Sequence, residues 1–388
     1  MNRVHRISGN ELTLLQNGVT FFPQLCAEID AAKNSVYLET YIFSVDETGL
    51  LVAQTLQQAA LRGVAVKLLL DGFGSAELPG VLVDEMRKVG VEVQWYRREI
   101  SPFTLSRSRM RRLRRMHRKL AVMDGKVAFV GGINIIRDIP EKPNFDAPRL
   151  DYAVKIRGEL AGEVEAAMQH LWEMVSWASI RRRVREKGWR LYRSKRQPDS
   201  NAHLVLRDNV RHRRDIERAY LKAIAGARNE VIIANAYFLP GGMFIRALVH
   251  AARRGVRVVL VLQGKVEYRL QHYATLALYG RLLAAGVEIY EYHASFLHAK
   301  VAVVDGEWAT VGSFNIDPFS LLLAREANLV VRDREFAEDL RASLMDSIQR
   351  DGRRVEPARA NLFMRLLARM SYGLMRFIIG LLGISKRH

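Results

Sequence analysis

Two passages of this chain repeat each other: HRKLAVMDGKVAFVGGIN at 117–134 and HAKVAVVDGEWATVGSFN at 298–315. Such self-similarity means two copies of one supersecondary unit, and it constrains the fold more than any composition does. The likeness extends upstream. QQAALRGVAVKLLLDG at 57–72 matches VHAARRGVRVVLVLQG at 249–264, and VGVEVQWY at 89–96 matches AGVEIYEY at 285–292. Each first pair reads as a helix end, a turn glycine (Gly63, Gly255) and a buried strand rich in Val and Leu. Each second pair reads as a short strand after a glycine turn. The passages that begin at His117 and His298 read as strand, Asp-Gly hairpin turn, strand.

The spacing between copies locates an insertion. Gly90 and Gly286 are 196 residues apart, but His117 and His298 are 181 apart, as are Asn134 and Asn315. The first copy therefore holds 15 extra residues between Tyr96 and His117, within the arginine-rich EISPFTLSRSRMRRLRRM. Helices alternating with strands in both copies predict an α/β protein: two pseudo-twofold-related halves, each a mixed sheet flanked by helices. The first half spans 1–200, with the insertion at about 97–116 and a basic connector at about 181–200 (RRRVREKGWRLYRSKR, then QPDSN). The second spans 201–352, and 353–388 forms an amphipathic tail.

On a strand, residues i and i+2 point to one side, so His117 and Lys119 share a face, as do His298 and Lys300. An imidazole beside an ammonium suits a phosphodiester: the lysine neutralises non-bridging oxygens while the histidine attacks phosphorus or donates a proton. Two such pairs supply one nucleophile, one acid and two lysines to clamp the phosphate. That charge removes the need for a metal, and no cofactor is expected. Asp124 and Asp305 complete the doubled H-x-K-x(4)-D pattern and join the catalytic set, although their place at the Asp-Gly turns makes turn geometry their first task. Asn134 and Asn315, after GGI and GSF, carry amides that can reach phosphate oxygens, and Ser313 adds a hydroxyl. Asp151 and Glu326 open the next strand of each half. A carboxylate on a histidine's second nitrogen fixes its tautomer, so Asp151 is expected to serve His117 and Glu326 to serve His298.

Composition narrows the partner. The 388 residues carry 60 Lys+Arg against 41 Asp+Glu, a formal charge of +19, which calls for an anionic partner, nucleic acid or acidic lipid. Hydrophobic residues at 49% exclude a disordered chain. The single cysteine, Cys26, excludes an intrachain disulfide framework. Neither a signal-peptide pattern nor a run of about 18 uncharged apolar residues occurs, so a cytoplasmic, reducing setting is expected.

With these motifs stated, the chain resembles the phospholipase D superfamily from about residue 20 to 350. RRMHRKLAVMDGKVAFVGGINI and LHAKVAVVDGEWATVGSFNID, with LETYIF at 38–43 and ANAYFLPGG at 234–242, resemble its bacterial cardiolipin synthase branch. The absence of leading transmembrane helices is similar to the shorter, B-type enzymes. The resemblance implies an active site at the interface of two halves and a ping-pong transfer through a phosphatidyl-histidine. His117 would be the nucleophile and His298 the general acid, with phosphatidylglycerol and cardiolipin as lipids. The first half departs from the wider superfamily at Gly132, where the second has Ser313.

The tail bears on lipid against nucleic acid. In NLFMRLLARMSYGLMRFIIGLLGISKRH, Arg365, Arg369 and Arg376 fall within roughly 40° of one another on a helix, with apolar residues filling the rest. That suits a helix lying in the lipid interface. A span is disfavoured, because each central arginine costs about 2.5–3.5 kcal/mol. The basic insertion, with its apolar tip SPFTL, would rest on the same headgroups. The expected partner is therefore an anionic phospholipid membrane, met from its cytoplasmic face, and nucleic acid is not expected. A phospholipase D-type hydrolase or nuclease stays open, since the same paired histidines cleave DNA backbones.

Overall fold

A computed structural model of the chain describes residues 3–97, 114–143, 145–180, 200–208, 212–356 and 362–381. The body of the basic insertion (98–113), the basic connector (181–199) and the end of the tail (382–388) lie outside the described residues.

The first half runs β1 (Val4–Ile7), β2 (Asn10–Gln16), α1 (Asn17–Ala31), β3 (Ser35–Thr40), α2 (Glu47–Leu61), β4 (Ala65–Asp71), α3 (Gly80–Lys88) and β5 (Glu92–Tyr96). It continues with β6 (Arg115–Met116), β7 (Lys119–Met123), β8 (Val127–Gly131), β9 (Tyr152–Arg157) and α4 (Glu159–Ile180). The second half runs β10 (Ala202–Arg207), α5 (Asp215–Gly226), β11 (Glu230–Asn235), α6 (Gly242–Arg253), β12 (Arg257–Gln263), α7 (Arg269–Leu283) and β13 (Glu288–Tyr292). After it come β14 (Lys300–Val304), β15 (Trp308–Gly312), α8 (Pro318–Leu323), β16 (Ala324–Arg332), α9 (Arg334–Asp351), β17 (Gly352–Arg354) and α10 (Leu362–Leu381).

The two sheets have the same strand order through seven positions. The first is β1-β2-β9-β8-β7-β3-β4-β5; the second is β10-β16-β15-β14-β11-β12-β13-β17. Both are mixed: β3, β4 and β5 pair in parallel, as do β11, β12 and β13, while the hairpins are antiparallel. This is the α/β architecture of two related halves that the repeats predict.

The motif strands are buried on both faces, which is why they read as unbroken apolar runs. On β7, Leu120 and Val122 enter a core shared with the second half's Val301, Val303 and Leu329. Their neighbours Ala121 and Met123 face the other way, into a core under α1 and α2. The second half mirrors this: Ala302 and Val304 pack with residues of α5 and α6. So the inner faces of the sheets make one core, and the helices cover the outer faces. Both Asp-Gly turns have the two left-handed residues of a type I′ turn, Asp124 and Gly125 at φ 52° and 62°, Asp305 and Gly306 at 54° and 63°.

Candidate active site

The strand pairing that crosses between the halves positions both histidines. β6 pairs in parallel with the start of β16, and the His117 N–H donates to the Arg325 carbonyl at 2.9 Å. The mirror contact is a bridge between Leu150 and Leu297, with the His298 N–H donating to the Leu150 carbonyl at 2.9 Å. Each histidine thus sits beside the residue that precedes the other half's carboxylate. The carboxylates consequently cross. His117 Nδ1 lies 3.0 Å from Glu326 Oε2, and His298 Nδ1 lies 2.6 Å from Asp151 Oδ2. The expectation that each carboxylate serves the histidine of its own half is wrong, because proximity in sequence says nothing about which strand start lies across the pseudo-twofold axis. The two Nδ1 atoms are engaged by carboxylates, which leaves each Nε2 for chemistry.

Two anchors escaped the sequence reading. The residue before each histidine is pinned by a side chain at the end of a parallel strand: Met116 N–H by Asp71 (2.8 Å) and Leu297 N–H by Gln263 (2.5 Å). The signal was present in the repeats, which end LLLDG and LVLQG.

Both lysines are buried under the histidines. Lys119 Nζ donates to the His117 carbonyl at 2.8 Å, and Lys300 Nζ to the His298 carbonyl. Neither is among the residues lining the cavity, so their charge reaches it from behind the histidines. Burial, with the neighbouring Lys300, lowers Lys119 to about 7. Burial lowers Lys300 to about 8 against the opposing pull of Asp151 and Glu326.

The carboxylates differ. Burial raises Asp151 to about 6, against the pull of Lys300. Burial also pushes Glu326 up, but His117, Lys119 and Ser313 outweigh it and hold it below the usual carboxylate range. Burial depresses His117 despite Glu326, and depresses His298 further, where Lys300 and Lys119 add to the effect. In the free site both imidazoles are neutral near pH 7, and an arriving phosphate anion favours protonation of one of them.

The histidines open into a cavity of about 420 Å³ lined also by Asp151, Asn134 and Asn315. The asparagines are not equivalent. Asn134 Oδ1 accepts the Ile42 N–H at 3.2 Å, whereas the buried Asn315 Oδ1 has no protein partner among the described residues. Ser313 is not at the cavity; its Oγ donates to Glu326 at 2.5 Å and accepts the Ala327 N–H at 3.1 Å. Gly132, its counterpart, has no room for a side chain, because a Cβ there would lie 2.3 Å from Asp151 Oδ1.

Asp124 and Asp305 do not join the site, which corrects their inclusion in the catalytic set. Asp124 accepts the N–H groups of Lys33, Asn34 and Ser35 at 2.8–2.9 Å. Asp305 accepts those of Arg228, Asn229 and Glu230 at 2.7–2.9 Å. Each caps the start of the strand beside its hairpin, at the far end of the motif strand from the lysine. A larger cavity of about 690 Å³ lies at that far end, by Asp305 and Trp308, and holds neither histidine. Among the described residues no group of His, Cys, Asp and Glu is arranged to hold a metal ion.

Known proteins resemble this chain in sequence and in fold. The family model described as "Cardiolipin synthase, PLD-like domain" matches residues 25–172 and 220–347, one segment in each half. Cardiolipin synthase B of Escherichia coli (strain K12) is 40% identical over 348 residues, covering 90% of this chain and 83% of that protein. Cardiolipin synthase of Geobacillus kaustophilus is 31% identical over 359 residues, covering 88% of this chain and 69% of that protein. Among solved structures, phosphatidylserine synthase of Haemophilus influenzae superposes with a TM-score of 0.69 over 96% of this chain and 95% of its own, at 12% identity. That likeness is one of fold.

Proposed function

The chain belongs to the cardiolipin synthase family of phospholipase D-like proteins, and we propose that it makes cardiolipin by transferring a phosphatidyl group between two phosphatidylglycerol molecules. The observation that carries the reading is the crossed pair of His–carboxylate contacts opening into one cavity, in a chain 40% identical to a cardiolipin synthase. In the first step His117 Nε2 attacks the donor phosphorus, and the departing glycerol oxygen takes a proton from His298. In the second, His298 takes the proton of an acceptor hydroxyl while that oxygen attacks phosphorus and the P–N bond breaks. Glu326 and Asp151 hold the imidazoles in the required tautomer. Lys119 and Lys300 offset the phosphate's charge, and the Asn315 side-chain nitrogen can donate to one of its oxygens.

The tail supports work at a membrane surface. No helix of the described residues is long and apolar enough to cross a membrane. Helix α10 packs along α7 through buried Ala368, Ser371 and Met375, and turns outward Leu366, Met370, Leu374 and Phe377 beside Arg369 and Arg376. An outward face of apolar residues and arginines suits the headgroup boundary of an anionic leaflet. We place the protein there, peripheral on the cytoplasmic face of the cytoplasmic membrane.

Lipid product analysis tests the function. The purified full chain in phosphatidylglycerol vesicles is expected to form cardiolipin and glycerol. Phosphatidic acid as sole product would make it a hydrolase, and DNA cleavage without lipid turnover would make it a nuclease. Vesicle binding is expected to fall in Met370→Glu/Phe377→Glu, since burying each such side chain contributes about 1.5–3 kcal/mol.

A further inference from the structure

Two phosphoryl groups must share the cavity during the second step. One is the phosphate on histidine; the other belongs to the acceptor's headgroup, only a glycerol's length from the attacking hydroxyl. The histidines flank the first, with the lysines buried behind them. Like charges repel strongly in a site screened from water, so the second needs its own cation.

Arg149 is placed to supply it. It lines the same cavity, half-buried, two residues before Asp151. Its Nη1 donates to the carbonyls of Arg137 (2.5 Å) and Asp138 (3.4 Å), and its guanidinium lies over the Phe296 ring at 6.0 Å. These contacts fix the plane, and Glu267, Asp138, Asp46 and Asp151 act on the charge from a distance without pairing with it. Among the described residues no carboxylate stands within ion-pair distance of it, and its Nε and Nη2 have no protein acceptor. The other arginine on the cavity wall, Arg137, is already paired with Glu47 and Glu141. A fixed guanidinium with an open Nε–Nη2 edge matches two oxygens of one phosphate.

The opposite wall differs. The position matching Arg149 in the second half, two residues before Glu326, is Ala324. That wall instead presents Tyr237 hydrogen-bonded to Glu267 at 2.6 Å, a pair suited to hydroxyls rather than to phosphate. The cavity therefore has its arginines, Arg137 and Arg149, only on the wall that the first half supplies.

From this we infer that Arg149 forms a second anion subsite, which holds the headgroup phosphodiester of the acceptor lipid and orients its free hydroxyl toward the phosphatidyl-histidine. The inference rests on the cardiolipin-forming reading and makes Arg149 a selector of acceptors. It binds neither the donor phosphate nor the nucleophile.

The test is a partition measured in one incubation. The full chain and its Arg149→Gln and Arg149→Lys variants are supplied with phosphatidylglycerol vesicles and labelled glycerol. Cardiolipin reports transfer to an anionic acceptor, labelled phosphatidylglycerol reports transfer to a neutral one, and phosphatidic acid reports transfer to water. The ratios do not depend on how much enzyme is folded. In Arg149→Gln the ratio of cardiolipin to the other two products is expected to fall about 10- to 100-fold, the worth of a lost charge-assisted hydrogen bond. Arg149→Lys should recover part of it. An unchanged ratio in Arg149→Gln, or an equal fall in all three products, overturns the subsite while leaving the synthase reading intact. A wild-type chain that releases phosphatidic acid but no cardiolipin sinks the synthase reading, and the inference with it.

Discussion

Between His117 and Lys119 the first half carries Arg118, buried against Glu39 at 2.7 Å with both side chains almost fully enclosed. In the second half the matching positions are Ala299, just before β14, and Ala234, at the place on β11 that Glu39 takes on β3. The carboxylates are also unlike: Glu326 with Ser313 supporting it, Asp151 with Gly132 making space for it. The same seven-strand frame thus carries two different electrostatic settings. What the halves share is the histidine, the lysine, the anchor before the histidine and the carboxylate delivered from across the axis. Those shared parts are the ones that the proposed transfer uses. What differs is free to give the two histidines different roles.

The largest expected effects test that division of roles and the crossing together. His117→Ala and His298→Ala are each expected to lower phosphatidyl transfer by about 10⁴-fold or more. A p-nitrophenyl phosphodiester departs without an acid, so it isolates the nucleophilic step. With it, His298→Ala and Asp151→Asn should retain a burst of nitrophenol and leave phosphate on His117. His117→Ala and Glu326→Gln should lose the burst. Were carboxylates to serve their own halves, Asp151→Asn would lose the burst and Glu326→Gln would keep it. Phosphate trapped on His298 would exchange the roles and leave the frame standing.

The pH dependence sharpens the difference between the carboxylates. Asp151, at about 6, takes up a proton before Glu326 does. Transfer should therefore decline on the acid side with an apparent midpoint near pH 6, as the His298 side loses its ionised acceptor. The linkage to stability has the opposite sense to that of an ordinary paired carboxylate. A group raised in the folded state contributes stability that is full below its unfolded value and is lost as pH rises through about 6. A rate profile flat from pH 7 to pH 5 would remove Asp151 from its role.

How far the sequence foretold this follows from which features are local. The doubled H-x-K, the Asp-Gly turns and the alternation of strands and helices within each half depend on short-range pattern, and repetition made them legible. The crossing of Asp151 to His298 depends on β6 joining β16 and Leu150 bridging Leu297, contacts that no local pattern encodes. Arg118 and Glu39 stand 79 residues apart, and neither looks buried in a chain this basic. The α10 helix was legible as amphipathic, but its seat on α7 was not.

The buried pair offers the next effect in size. Arg118→Met alone should cost about 3–5 kcal/mol, because it leaves Glu39 charged and enclosed, whereas Glu39→Leu/Arg118→Met should recover most of that loss. Thermal unfolding of the two variants and the wild type measures it. If the double variant were no better than the single one, the first half would depend on the ion pair in a way the alanines of the second half do not suggest.

The smallest effect concerns the two residues that the motif groups with the catalytic ones. Asp124 and Asp305 have the same geometry in both halves, each accepting three backbone N–H groups from the start of the neighbouring strand. For Asp124, burial opposes ionisation, but those N–H groups prevail and hold the carboxyl below its usual value. The stability it contributes is thus present above the unfolded value and is lost as pH falls through the lower folded one. Asp124→Ala and Asp305→Ala should each cost about 1–2 kcal/mol, from the lost cap and from an alanine held at positive φ. Asparagine, whose single oxygen can accept two of the three N–H groups and which tolerates that backbone, should cost less than alanine. In all four variants the folded enzyme should transfer phosphatidyl groups at near wild-type rate, because neither aspartate lines the cavity. A loss of about a hundredfold in turnover by well-folded Asp124→Asn, with Asp305→Asn unaffected, would break the equivalence of the two turns and return Asp124 to the site.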